Sequence, residues 1–575
     1  MPSNVKELAR VIMRQQATRL DRRDMAAIAL IAALWVAMTL LVNPVGDFPL
    51  NDDWQYGRTV KALLSGAGIL IPGAVRGPTI ANILTQALWG VAFCLPFGFS
   101  YTALRISTLV LAVIGLAFFY ALMRENGNRR SMAIAATLTL AVSPLYFGMA
   151  ESFMTDVPFV AIMIVALYFL ARALRDDSTS CLVAGVAVSF IAILTKQIGF
   201  APLLGYAAAN ALKHKSRVGQ ALLGFVPLIL GIGLQLGYHA WLLSSGRGSF
   251  IPAQIVPLDP VSLASWTVHS TLYALPYLGF AVFPVVALTG LLPRASAAIY
   301  LGLAAAGLAV LMLLWWRGDL IPVLGNIFNE SGMGPLTQRD TYLLRQNLPV
   351  LTAWTTAFWL TVTACGLIGT VGLFAIGGVG VAARMSRLWR GQPVRNDWVW
   401  VLAVVTGIGY WAAIVFLATN TGEFWDRYVL PAIPLALLLL AAGDAEAARE
   451  VRPMWRNSLA GAILFVIGGL SVAVTHDYLE WNRTRWVAVH HLIDELGVSP
   501  ANIDGGYEVN GSLMYRPGIR SAPGASWWFV TGNDYVVASG PIDGYREIAR
   551  YPVTPKFLPV GLRQVIVLHR ADTSG

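Results

Sequence analysis

Apolar residues in this chain gather into continuous stretches of membrane-span length, separated by short polar segments, from Met25 to Val474. Runs of this kind predict helices that cross a bilayer, whereas a membrane barrel alternates apolar and polar positions. The first run covers Met25 to Asn43. Further spans are predicted at 101–123, 131–147, 157–174, 180–195, 198–212, 218–243, 271–293, 296–316, 352–382, 398–418, 428–442 and 457–475, thirteen in all. Between the first and second spans lies a long segment, 44–100, in which Asp52–Ser65 has a helical period and Thr79–Leu95 is apolar but ends at Pro96 and Gly98. These read as short interfacial helices within a long outer loop.

Past His476 the pattern changes. Trp481–Leu496 fits an amphipathic helix stopped by Gly497, and strand-like runs follow at Asn533–Ala538, Tyr545–Val553 and Gln564–His569. The chain thus divides into an N-terminal segment (1–24), a membrane module (25–475) and a small α/β domain (476–575).

Composition agrees with the pattern. Hydrophobic residues make up 56% and charged residues 13%, against about 45–50% and about 25% in soluble proteins. This excludes a soluble enzyme and a disordered chain. The net charge of +10 gathers between spans, which points to membrane topology and anionic headgroups and away from nucleic acid. Arg124, Arg129, Arg130, Lys213, Lys215, Arg217, Arg384, Arg387 and Arg390 fall in alternate loops, and the longer loops between them are poorer in basic residues. A multi-pass protein of the cytoplasmic membrane is expected, with its N-terminus in the cytoplasm and its C-terminus outside. The first apolar run, preceded by Lys6, Arg10, Arg14, Arg19, Arg22 and Arg23, is expected to be a retained helix. Cys94, Cys181 and Cys365 sit in apolar surroundings without paired spacing and predict neither a disulfide framework nor a metal site.

Ionisable residues at span ends require a reason, because hydrocarbon penalises charge. Adjacent Asp52 and Asp53 follow the first span, and Glu151 and Asp156 flank a short turn. One reading is helix capping, by Asn51 or Asp52 in the first case and by Thr155 or Asp156 in the second. Arg76, Lys196 and Arg427, each alone, fit snorkelling cations. Under a single topology all of these charges face the outer leaflet. Carboxylates beside cations there suit a reaction with a lipid-linked phosphate as leaving group and a hydroxyl as nucleophile.

The motif Asp52-Asp53-x-x-Tyr56 resembles the Asp-Glu-x-x-Tyr pattern of the GT-C glycosyltransferases, in particular the family 39 group of protein O-mannosyltransferases and aminoarabinose and rhizobial lipopolysaccharide sugar transferases. Met154-Thr155-Asp156 resembles the group's second-loop aspartate motif, and Arg427-Tyr428-x-x-Pro431 its late Arg-Tyr-x-x-Pro element. Arg76-Gly77-Pro78 stands where many relatives have Lys-Pro-Pro, and Asp53 where Glu is usual. The resemblance covers roughly residues 25–440.

It implies a GT-C-like fold and an inverting transfer of a sugar from polyprenyl phosphate to a hydroxyl of a lipid, glycan or protein acceptor. Asp52, Asp53 and Asp156 would then be the catalytic carboxylates, with Asp52 as the base. Arg76, Lys196 and Arg427 would hold the donor phosphate, and Tyr56, Gln197, Glu423 and Tyr428 would contact substrate. No cofactor is certain; a divalent cation is compatible with the group, and no metal ligands are assigned. Two other classes remain open. A secondary transporter would place charges at mid-depth and show repeated halves; a lipid-linked polysaccharide polymerase or ligase would depend mainly on outer-loop arginines.

Overall fold

The computed structural model describes residues 20–71, 81–247, 259–290, 297–316, 325–329, 332–333, 355–394, 396–447, 453–516, 519, 529–559 and 563–571. The membrane part begins with α1 (Arg22–Val42), followed by the short α2 (Asp53–Leu64) and α3 (Leu84–Cys94) of the long loop. Next come α4 (Tyr101–Glu125), α5 (Arg130–Val142), α6 (Pro144–Ala150), α7 (Asp156–Asp176) and α8 (Thr179–Thr195). α9 (Ala201–Lys213), α10 (Val218–Leu223), α11 (Val226–Ser244), α12 (Pro260–Thr289) and α13 (Ala297–Trp316) complete the first part of the bundle. After a two-stranded ribbon, β1 (Phe328–Asn329) and β2 (Gly332–Met333), come α14 (Thr356–Trp389), α15 (Asp397–Thr421), α16 (Ala432–Ala447) and α17 (Met454–His490).

The chain is a polytopic helical membrane protein with a small α/β unit at its end. Each predicted span overlaps a helix, though length and composition alone do not confirm the count of thirteen. Among the described residues nine helices are long and apolar enough to cross, ten if α5 and α6 form one span. Those two meet at a 58° bend, because Pro144 withholds an N–H and turns Ser143 to an extended ψ of 125°. α8, at 17 residues, is at the lower end of the length a crossing needs, and α9, at 13, continues a 3-10 turn, Gln197–Phe200.

Where helices approach closely, small residues line the seam, as expected when lipid supplies no hydrophobic drive between helices. A Cβ on Gly279 of α12 would lie 1.9 Å from the carbonyl oxygen of Gly366 on α14. At the end of the bundle nearest Arg22, ion pairs tie helices together. Asp24 joins Arg124 at 2.8 Å and Arg130 at 2.9 Å and accepts from the Tyr120 hydroxyl at 2.8 Å. Glu125 meets Arg175 at 3.0 Å, and Asp397 meets Arg387 at 2.7 Å.

α17 corrects a second expectation. Its 37 residues run from the last span straight through Trp481, so the separate amphipathic helix predicted there is the continuation of one rod. The sheet it carries has the order β3-β4-β6-β5, from β3 (Ile503–Asp504), β4 (Tyr535–Ala538), β5 (Tyr545–Pro552) and β6 (Gln564–Arg570). β3 pairs parallel to β4, and the other pairs are antiparallel, with Val537 opposite Val567. Alternation sorts the two faces. Val537, Val565 and Val567 share an apolar cluster with Ala488 and Val489 of the helical rod and Leu492 just beyond it, while Val536, Ala538, Ile566 and Leu568 form a cluster on the other face. Between β3 and β4 lies α18 (Tyr507–Met514), which packs on α2.

Candidate active site

Asp52 and Asp53 are neighbours in sequence with different surroundings. Asp53, 2% exposed, turns both oxygens to backbone: Oδ2 accepts from Leu50 N at 3.2 Å and Oδ1 from Phe153 N at 2.9 Å. It therefore braces the first outer loop against the turn before α7. Burial pushes its carboxyl up to about 7, against the pull of those two N–H groups and of Arg105. Arg105 closes the same junction by donating to the carbonyls of Glu151 at 2.7 Å and Phe48 at 3.1 Å, and to that of Pro44.

Asp52 occupies the N-cap position of α2 but makes no side-chain capping bond. Its Oδ2 pairs with Arg427 Nη1 at 3.0 Å, and its Oδ1 accepts from the Tyr507 hydroxyl at 2.7 Å. The Asp52 side chain keeps 18% exposure and that of Arg427 14%, so the pair is partly open. Thr155, at the N-cap of α7, likewise makes no capping bond. The capping readings thus fail at Asp52 and Thr155.

Asp156 opens α7 and meets Lys196 Nζ at 2.5 Å, with both side chains 2% exposed. Lys196 sits where the chain leaves α8 in an extended conformation, which lets its side chain reach across to α7. It lies within the field of both Asp52 and Arg427. Tyr56, one turn into α2, feels the charges of Asp52, Arg427 and Asp156; burial, the largest cause, holds its phenol well above the usual value. These contacts bring Asp52, Tyr56, Asp156, Lys196 and Arg427 into one electrostatic cluster.

Arg427 lies in a 3-10 turn, Asp426–Val429, anchored by Asp426, which accepts from Ile327 N at 3.1 Å and Phe328 N at 2.8 Å. The Arg427 guanidinium stands 5.7 Å from the Tyr428 ring centroid. Gln197 is half-buried in the 3-10 turn beside Lys196, and Glu423 is exposed at the rim. Arg76 lies outside the described residues.

Three residues of the site carried no sequence signal: Tyr507, Glu508 and Gln55. Gln55 donates to the Tyr507 oxygen at 2.5 Å. Glu508, fully buried and paired with Arg485 at 3.0 Å, accepts from Asn51 N at 3.1 Å. Asn51 adopts a φ of 51°, a left-handed conformation that asparagine tolerates. The one available hint was Trp54, a large apolar residue inside a polar motif; it is buried under Tyr507 and Phe529 of the C-terminal domain.

Among the described residues no three His, Cys, Asp or Glu side chains converge as a metal site. The oxygens that could begin one, on Asp52 and Asp156, face Arg427 and Lys196.

Comparison with known proteins adds the following. Residues 84–232 match the family model of dolichyl-phosphate-mannose-protein mannosyltransferase, a stretch that includes Asp156, Lys196 and Gln197. No curated protein sequence matches the chain. Among solved structures, the protein O-mannosyltransferase Pmt1-Pmt2 complex of S. cerevisiae, bound to the sugar donor, aligns at 15% identity and TM-score 0.34. That alignment covers 41% of this chain and 36% of the yeast chain. ArnT from Cupriavidus metallidurans, bound to undecaprenyl phosphate, aligns at 14% identity and TM-score 0.40, covering 95% of this chain and 99% of ArnT. Arabinosyltransferase EmbB from Mycobacterium smegmatis aligns at 10% identity and TM-score 0.31, over 79% of this chain and 45% of that one. Over residues 84–232, then, the chain is similar to a family of GT-C membrane glycosyltransferases, the same group that its motifs resemble.

Proposed function

We propose that the protein transfers a sugar from a polyprenyl-phosphate donor to an acceptor hydroxyl, with inversion, at the face of the membrane that carries the C-terminal domain. The observation that carries this reading is the pairing of a partly open carboxylate, Asp52, with a guanidinium, Arg427, at 3.0 Å, beside a second acid–cation pair of Asp156 and Lys196. Asp52 takes the proton of the acceptor hydroxyl as its oxygen bonds to the anomeric carbon. The bond from that carbon to the phosphate oxygen breaks on the opposite side, and the electron pair leaves with the polyprenyl phosphate. Arg427, with a fork matched to phosphate oxygens, and Lys196 offset the charge that develops there. Arrival of the donor phosphate gives Arg427 an alternative anion and frees Asp52 to act as base. Asp156 holds the Lys196 ammonium in place. Asp53 serves as the brace for the loop that presents Asp52. Tyr56, Gln197, Glu423 and Tyr428 are the candidates for sugar contacts, and Arg76 for a further phosphate contact.

The test is Asp52→Asn. The amide keeps the size of the side chain but cannot accept a proton, so release of polyprenyl phosphate from a polyprenyl-phosphate hexose should fall by about two to four orders of magnitude. Binding of polyprenyl phosphate should persist. Wild-type turnover in this variant would remove Asp52 from the chemistry.

A further inference from the structure

We infer that Tyr507 is a positioning residue for Asp52, so that the C-terminal domain is a working part of the active site. This rests on the reading of Asp52 as the base. Because Asp52 makes no capping bond, its own helix does not fix the carboxylate; Arg427 and Tyr507 do, one on each oxygen. When the donor phosphate draws Arg427 away, the Tyr507 hydroxyl is the contact that still orients the carboxylate, with Oδ1 held and Oδ2 turned to the acceptor.

Tyr507 is itself firmly placed. Its ring meets Trp54 edge to face at 5.6 Å, and Gln55 donates to its oxygen. Burial, then the Asp52 charge beside it, holds the phenol well above its ordinary range, so it remains a donor to the carboxylate. The turn before it is fixed by Asn510, which accepts from Gly505 N at 2.9 Å, and by Asp504, which accepts from Gly506 N at 3.1 Å. Gly506, at a φ of 89°, supplies the left-handed backbone that starts α18 over the site. The domain also sits too close to α2 for any side chain at 511: a Cβ on Gly511 would lie 2.4 Å from Trp54 Cε2. Glu508 adds a second tie, from Arg485 of the rod to the backbone of Asn51.

Two variants test the inference with polyprenyl-phosphate hexose as substrate, in membranes that hold the natural acceptors. Tyr507→Phe keeps the ring on Trp54 and removes only the hydroxyl. Its kcat should fall by about 10- to 100-fold, the worth of a hydrogen bond to a charged group, with KM and polyprenyl phosphate binding unchanged. Gly511→Leu keeps the hydroxyl but wedges α18 off Trp54, and it should lose kcat to a similar degree. A wild-type kcat in either variant, or a loss carried in KM or donor binding, would overturn the inference. If Asp52→Asn is inactive while Tyr507→Phe is normal, this inference alone fails; if Asp52→Asn is itself active, the proposed function fails first.

Discussion

The two ends of the helix bundle use the same ion-pair chemistry for different ends. Near Arg22, Asp24 is fully buried and engaged by Arg124, Arg130 and Tyr120, contacts that hold α1, α4 and α5 together, while it also accepts from Asp21 N to cap its own helix. At the other end Asp52 is partly exposed and shares its oxygens between Arg427 and Tyr507, which stand 375 and 455 residues away in sequence. A carboxylate saturated by neighbouring helices is a staple. One held from two remote segments, with part of its surface open, can exchange a partner for substrate. The difference lies in which partners can leave.

Five substitutions would break or sharpen this contrast. The largest effect on turnover is expected from Asp52→Asn, with the loss stated above and little change in thermal stability. Next, Arg427→Ala should weaken polyprenyl phosphate binding by about 10- to 100-fold, the loss of a charge-assisted contact, measured by titration of the purified protein. Arg247→Ala, an exposed cation away from the cluster, should leave that binding unchanged. At the opposite end, Asp24→Ala should reverse the pattern. It leaves two arginines without their buried partner and should lower stability by about 3–5 kcal/mol, read as a lower unfolding temperature and poor membrane yield, while the protein that folds keeps its kcat.

A smaller effect than at Asp52, Arg427 or Asp24 is expected at Asp53. Its folded carboxyl, raised to about 7, keeps a proton that the unfolded chain gives up from 3.8 upward. Stability from this group is therefore fully present below 3.8 and is lost as pH rises through about 7. Asp53→Asn should flatten that part of the pH–stability curve and cost about 1 kcal/mol for one displaced N–H contact, with turnover reduced far less than in Asp52→Asn. Melting curves at about pH 5 and about pH 8 check the sign.

Much of the architecture was legible because hydrocarbon imposes long apolar runs, and the site acids stood out because charge at a span end is costly. The errors came from tertiary context. Periodicity could not show that Pro144 bends a run into two helices, or that the last span runs on into the C-terminal domain as one rod. Sequence spacing placed Asp52, Asp156, Lys196 and Arg427 together but could not separate Asp52 from Asp53, of which one meets side chains and stays partly open and the other meets backbone and is buried. Tyr507 was invisible because its partner is 455 residues away and no periodic or motif signal marks a lone tyrosine.

The unbroken α17 gives the molecule a fixed standoff. A helix of 37 residues is a rod about 55 Å long, against a hydrocarbon layer of about 30 Å, so it carries the sheet at a set height and a set rotation above the bundle. Height and phase are both keyed to the Tyr507–Asp52 contact. A single residue inserted after Val474 would lift the domain by about 1.5 Å and turn it by about 100°, moving the tyrosine off the carboxylate without altering any residue of the site. The rod thus serves as gauge and key for the Asp52 carboxylate.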